Sequence, residues 1–260
     1  MNPPSTVPVL MYHATPGIRP DGPGGYDPHY AVPLESFARQ MTLARAAGVP
    51  PRHVLAVAES GGCGVTFDDG HATNADAARV LAEHGGTADF FLNTSTLGTA
   101  GCLDWSDVRE MAALGMSIQS HGHTHRYFDE LSPTEIRTEL ARSKAEIEQA
   151  IGRAVVLFAP PGGRLGPDVP AIAAELGYVG ICSSRAGLWR PSVGPGDVPR
   201  LAVLASTSDG RLERWLRADP DEIARMQARK QVLDFGKRLL GNRLYDRLRE
   251  ALVGGGGSAR

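Results

Sequence analysis

Short apolar runs alternate with helix-length segments from residue 7 to residue 203, and that alternation constrains the fold more than any other feature. Chains of this pattern build a largely parallel sheet whose strands are joined by helices. Strand patterns cover residues 7–12, 63–67, 88–92, 116–120, 154–158, 178–182 and 198–203. The first helical segment runs from Leu34 to Gly48, with Phe37, Met41, Leu43 and Ala44 on its apolar side and Gly48 as its stop. A second runs from Ala75 to His84 and closes at Gly85-Gly86. Ser106 is read as the cap of a third, which ends at Leu114 before Gly115. Ser132-Pro133-Thr134-Glu135 is a strong start for a fourth, reaching about Ile151. There Ser132 caps, Pro133 takes the first helical position and Glu135 stands three residues on. A fifth spans Asp168 to Leu176, and residues 16–30 form a Gly- and Pro-rich loop long enough to lie over a site.

Two polar clusters follow two of these strands. Thr66-Phe67-Asp68-Asp69-Gly70 puts adjacent carboxylates at a strand end, and His121-Gly122-His123-Thr124-His125 puts imidazoles four residues apart at another. Either alone reads equally well as a turn or a solvated His-rich loop. Together they offer two histidines and one aspartate for a metal, with a spare carboxylate alongside. Three protein ligands leave room for water and substrate, the layout of a hydrolytic metal site rather than a structural one. An unligated carboxylate held nearby suits a general base.

The pair resembles the signature of the polysaccharide deacetylase family, carbohydrate esterase family 4. Val7-Pro8-Val9-Leu10-Met11-Tyr12-His13 is similar to the first strand of its xylanase/chitin-deacetylase-like branch. Ala88–Leu92, Gly115–His121 and Phe158-Ala159-Pro160-Pro161-Gly162-Gly163 resemble further family segments, the last of them the third motif. The resemblance covers roughly residues 7–205. It implies a distorted (β/α) barrel of about seven parallel strands and a metal-dependent deacetylase. By the family pattern Asp69, His121 and His125 bind one divalent metal and Asp68 is the base. Zinc suits the mixed nitrogen and carboxylate donors first, with cobalt, nickel or iron as alternatives. Pro161 and Gly162 shape the substrate and oxyanion side, where a backbone N–H near Gly162 meets no side chain of its own. His123 alternates with the ligands and reads as a supporting loop residue.

Three departures from the family pattern bear on mechanism. The third motif often carries an Arg that orients the base, and here Ala159 stands in its place. Arg200 is the candidate replacement, against the alternative of a structural arginine. An aromatic residue often precedes the motif's final Gly, where this chain has Gly162, which implies a wider or differently shaped subsite. A late His often protonates the leaving group, but no His follows His125, so His13 is the candidate acid, with substrate positioning or core packing as alternatives. Rival readings are a hydrolase of formamides or cyclic amides on the same scaffold and a non-catalytic saccharide-binding protein.

The domain reading is a catalytic unit over residues 1–210, a basic helical extension over 211–253 and a flexible Gly-rich end at 254–260. The net charge of −2 argues against a nucleic-acid partner. Charge is uneven, since residues 211–260 hold 12 Lys/Arg against 7 Asp/Glu. With Leu233, Leu240, Leu244, Leu248 and Leu252 roughly on one side, that stretch reads as a helix packed on the barrel or as a basic amphipathic helix. The second form would meet an anionic membrane surface or a glycosyltransferase partner. Cys63, Cys102 and Cys182 lack metal-type spacing and are expected as buried thiols. No signal-peptide pattern or membrane-length apolar run is visible, so the expected location is cytoplasmic, with a peripheral inner-membrane site as a variant. That location favours an acetylated amino sugar or saccharide precursor as substrate.

Overall fold

The structure is a computed structural model and describes residues 6–17, 25–226 and 228. Its sheet has nine strands: β1 Val9–Tyr12, β2 Pro51–Arg52, β3 Cys63–Phe67, β4 Asp89–Leu92, β5 Ser117–Ser120, β6 Leu157–Phe158, β7 Gly180–Cys182, β8 Asp197–Val198 and β9 Leu201–Ala202. Every pairing between them is parallel. The order is β8-β7-β6-β5-β4-β3-β1-β9, with β2 added beside β3. β1, β3 and β4 are buried along their whole length, as strands covered on both faces must be. Helices α1 Leu34–Ala46, α2 Val54–Ser60, α3 Asn74–Glu83, α4 Trp105–Ala113, α5 Pro133–Ile151, α6 Val169–Glu175 and α7 Asp209–Leu216 complete the distorted (β/α) barrel.

The two end strands of the order, β8 and β9, are consecutive in the chain. Only Pro199 and Arg200 separate them. The sheet therefore curls until its edges are two residues apart, and the expected single strand over 198–203 is divided there. Pro199 lacks an N–H for a ladder, while Arg200 N donates instead to Arg185 O at 3.0 Å. β2 and α2 went unread in the sequence. The first is two residues long, too short for a period to appear, and α2 turns only Val54 and Val57 inward.

Helix starts follow capping chemistry. Ser132 and Glu135 form the reciprocal capping box at α5, with Pro133 inside it and Gly152 in the left-handed conformation at its end. At α4 the cap is Asp104 rather than Ser106. Asp104 accepts from the amides of Ser106 and Asp107, and Asp107 returns a bond to the Asp104 amide. Asp104 begins the turn two residues earlier, so Ser106 is already helical.

The core is aromatic on one side. Phe67 stacks on Phe90 at 4.7 Å and on Tyr12 at 5.4 Å, with Phe37 of α1 edge-on to both Tyr12 and Phe67. Gly64 permits β1 to lie close, since a Cβ there would stand 2.9 Å from Val9. The three cysteines are free. Cys63 and Cys182 are buried as expected, but Cys102 is only half-buried. Among the described residues no helix is long and apolar enough to cross a membrane. The chain divides into compact units at residues 1–219 and 220–260. In the second, residues 220–226 are helical. The basic stretch from 229 and the Gly-rich end at 254–260 lie outside the described residues, as do positions 18–24 of the loop read over 16–30.

Candidate active site

β3 ends at Phe67, and the ladder continues one residue further through Asp68 N donating to Tyr12 O at 3.0 Å. That leaves the Asp68 side chain buried inside the barrel. Asp69 breaks the strand with φ +75°, which swings its carboxylate the other way, toward the His loop. Only three non-glycine residues described have positive φ, and two are Asp69 and His125 (φ +59°). Each such residue costs about 1–3 kcal/mol, so its placement in two proposed ligands marks a site that the surroundings hold against strain.

The His loop is anchored on both sides. His121 N donates to Leu92 O at 2.9 Å, extending the β5–β4 ladder. His121 Nδ1 donates to Ala159 O at 2.6 Å. That bond sets the tautomer and leaves Nε2 to face the cluster. Glu139 of α5, buried beneath the loop, accepts from His123 N and Thr124 N at 2.8 Å each and from Thr124 Oγ1 at 2.5 Å. Glu139 was missed in the sequence. Its signal is its position, a carboxylate on the same inward face of α5 as Ile136, Leu140, Ser143 and Ile147. His123 is turned away from the triad, its Nδ1 2.8 Å from Thr94 Oγ1 and 3.3 Å from Glu146 Oε2.

His121 Nε2 and His125 Nε2 each lie 3.2 Å from Asp69 Oδ1. One donor atom from each of the three residues falls within a mutual 4.8 Å. Ligands at ~2.0–2.1 Å from a zinc ion stand roughly 3.3–3.4 Å apart. The donor types, the spacing and the His121 tautomer therefore fit a divalent ion. His121 is buried, whereas Asp69 and His125 are half-exposed at the mouth.

Behind them Arg200 donates to both carboxylate oxygens of Asp68, Nη1 to Oδ1 at 2.6 Å and Nη2 to Oδ2 at 2.8 Å. Its remaining donors reach Thr66 Oγ1 and Ser183 O at 3.2 Å each, and its guanidinium lies over Phe91. Burial alone would raise the Asp68 pKa. The charges of Arg200 and His121 and the Arg200 hydrogen bonds outweigh it and hold the carboxyl below its ordinary value. His13, at the end of β1, senses the charges of Asp68, Asp69, Arg200 and His121, and burial lowers its pKa. Its ring packs on Tyr30 at 4.5 Å, and its buried Nδ1 has no hydrogen-bond partner among the described residues. Pro161 is buried. Gly162 is exposed and holds φ +61° in the turn Pro161–Gly163. Ala159 cannot do an arginine's work, but its carbonyl orients His121.

Residues 58–181 match the family described as polysaccharide deacetylase. The Bacillus subtilis polysaccharide deacetylase candidate YxkH is 31% identical over 115 residues, which are 44% of this chain and 41% of that protein. The match thus spans less than half of that relative's length. Among solved structures, Streptococcus pyogenes deacetylase PplD, in complex with acetate, superposes with TM-score 0.72 at 24% identity, covering 82% of this chain and 99% of that one. A Bacillus cereus polysaccharide deacetylase gives 0.71 at 23%, covering 81% and 69%. IcaB from Ammonifex degensii gives 0.69 at 24%, covering 82% and 98%. At these identities the superpositions speak for the fold. The segment that carries both polar clusters lies within residues 58–181, the part of the chain that matches the polysaccharide deacetylase family.

Proposed function

We propose that this chain hydrolyses acetyl groups from an acetylated amino sugar or saccharide precursor, with one divalent metal, zinc first, at Asp69, His121 and His125. One observation carries the reading. The metal-type triad and a carboxylate held by a bidentate arginine stand side by side on adjacent residues, Asp69 and Asp68. When bound, the ion would supply a polarised acyl oxygen and a more acidic water. Asp68, kept ionised by Arg200, takes the proton of the attacking water. Because Arg200 occupies both Asp68 oxygens in its plane, the carboxylate cannot rotate away from that task. A backbone N–H near Gly162, beside Pro161, meets the oxyanion. Burial lowers the His13 pKa and so favours its neutral imidazole. The ring therefore acts as a relay: the proton that Asp68 takes from the water is passed on through His13 to the departing amine or oxygen, and Asp68 returns to its ionised form.

The basic C-terminal stretch is proposed to bring the enzyme to an anionic inner membrane face or a glycosyltransferase, where a cytoplasmic precursor would be met. The test is acetate release from N- and O-acetylated saccharides by zinc-loaded protein. Asp68→Asn is expected to retain the metal and lose turnover by on the order of 10²-fold. His121→Ala is expected to lose both. Asp68→Asn protein without metal, or full activity in His121→Ala, contradicts the assignment.

A further inference from the structure

The turn that carries Gly162 has a neighbour to which the mechanism gives no task. A Cβ built on Gly162 would stand 2.8 Å from Cε1 of Tyr127. Tyr127 lies two residues beyond His125, so its ring joins the His loop to the turn at Pro161–Gly163. At φ +61° a side chain on residue 162 would be strained as well as displaced by the ring. Glycine is what admits the ring to this position.

The ring is held in place. The guanidinium carbon of Arg164 sits over it, 4.4 Å from its centroid. Arg164 is itself tied at 2.9 Å to Asp129 Oδ2 and at 2.9 Å to Glu130 Oε1. One face of the ring thus meets a cation and one edge meets Gly162. Tyr127 nevertheless stays 40% exposed, and it is the aromatic member of the exposed large hydrophobics described. Part of the residue is therefore covered by Arg164 and the Gly162 turn and part is open to solvent. A flat apolar face fixed beside a hydrolytic site has little freedom left to lose on binding. The C–H face of a pyranose is flat, apolar and of matching size.

We propose that Tyr127 is the platform against which the sugar ring bearing the acetyl group packs, a specificity-determining residue, and that Arg164 is the positioning residue that holds the platform. The inference rests on the saccharide deacetylase reading and names the part of the chain that recognises the sugar.

The test uses the full chain loaded with zinc and two substrates, an N-acetylated oligosaccharide and a sugar-free aryl acetate. Tyr127→Ala is expected to raise KM for the oligosaccharide about three- to tenfold, the worth of one aromatic contact, with kcat little changed. It leaves kcat/KM for the aryl acetate unchanged. Tyr127→Phe behaves as wild type on both, because the ring and not the hydroxyl makes the contact. Arg164→Gln falls between wild type and Tyr127→Ala on the oligosaccharide alone. Equal losses on both substrates in Tyr127→Ala would make the ring a prop of the loop and overturn the proposal. So would an unchanged KM, or a Tyr127→Phe variant as impaired as Tyr127→Ala. Wild-type protein that cleaves the aryl acetate but frees no acetate from saccharides overturns the underlying reading, and this proposal with it.

Discussion

Arg200 carries a full charge with none of its side chain exposed, and Asp68, its partner, is 5% exposed. Neither ion is tenable alone at such depth. Two short parallel hydrogen bonds, with Thr66 and Ser183 taking the remaining donors, make the pair tolerable. Arg200→Met leaves a buried carboxylate uncompensated and is expected to cost about 3–5 kcal/mol. In the double variant with Asp68→Asn the stranded charge is gone, so part of that loss returns. Urea unfolding of the two single variants and the double variant measures the coupling. Strictly additive losses would mean that the pair does not act as a unit. A lysine at 200 would restore charge but not the fork that spans both oxygens.

The His loop and α5 form one working element. Glu139 accepts from the backbone amides of residues 123 and 124 and from the Thr124 hydroxyl, between the two histidines proposed as ligands. Ser120 Oγ accepts from Gly122 N at 3.1 Å and pairs with Ser143 of α5 at 2.8 Å. α5 is 19 residues long and closed at both ends by its own capping groups, which makes it a stiff support. Glu139→Ala frees the loop without touching a ligand. Zinc affinity is expected to fall about 10–100-fold, as for other groups that orient metal ligands from behind. Competition with a chromophoric chelator reads this directly. Unaltered affinity would show that the loop holds its shape without α5.

At the scale of the whole barrel, the proposed ligands come from the ends of β3 and β5, with β4 between them, and the proposed base, Asp68, is braced from the seam where β8 passes to β9. A bound ion would tie strand ends that are 52 residues apart in sequence, Asp69 and His121. Zinc is therefore expected to stabilise the fold, by about 2.7 kcal/mol at 100 times its Kd. The melting temperature should rise with zinc, fall back with a chelator, and ignore both in His121→Ala. A wild-type melting temperature indifferent to zinc would count against a site in the folded barrel.

What the sequence determined by itself was whatever is encoded within a few residues. The adjacency of Asp68 and Asp69, the four-residue step from His121 to His125 and the Ser132–Glu135 capping box are local, because one loop or one helical turn brings such residues together. The strand–helix alternation likewise made the parallel α/β class legible. Two-residue strands such as β2, β8 and β9 carry no period and were invisible or merged. At α4 Asp104 and Ser106, two positions apart, are both residue types that cap, and only the geometry of the turn chose Asp104. The contacts of Arg200 with Asp68, of Tyr127 with Gly162 and of His121 with Ala159 each join residues more than thirty positions apart. They depend on strand register and on how far the sheet curls before its edges meet. Those quantities are set by side chains packed throughout the barrel, not by any local spacing, so only the tertiary structure decided which distant groups complete the site.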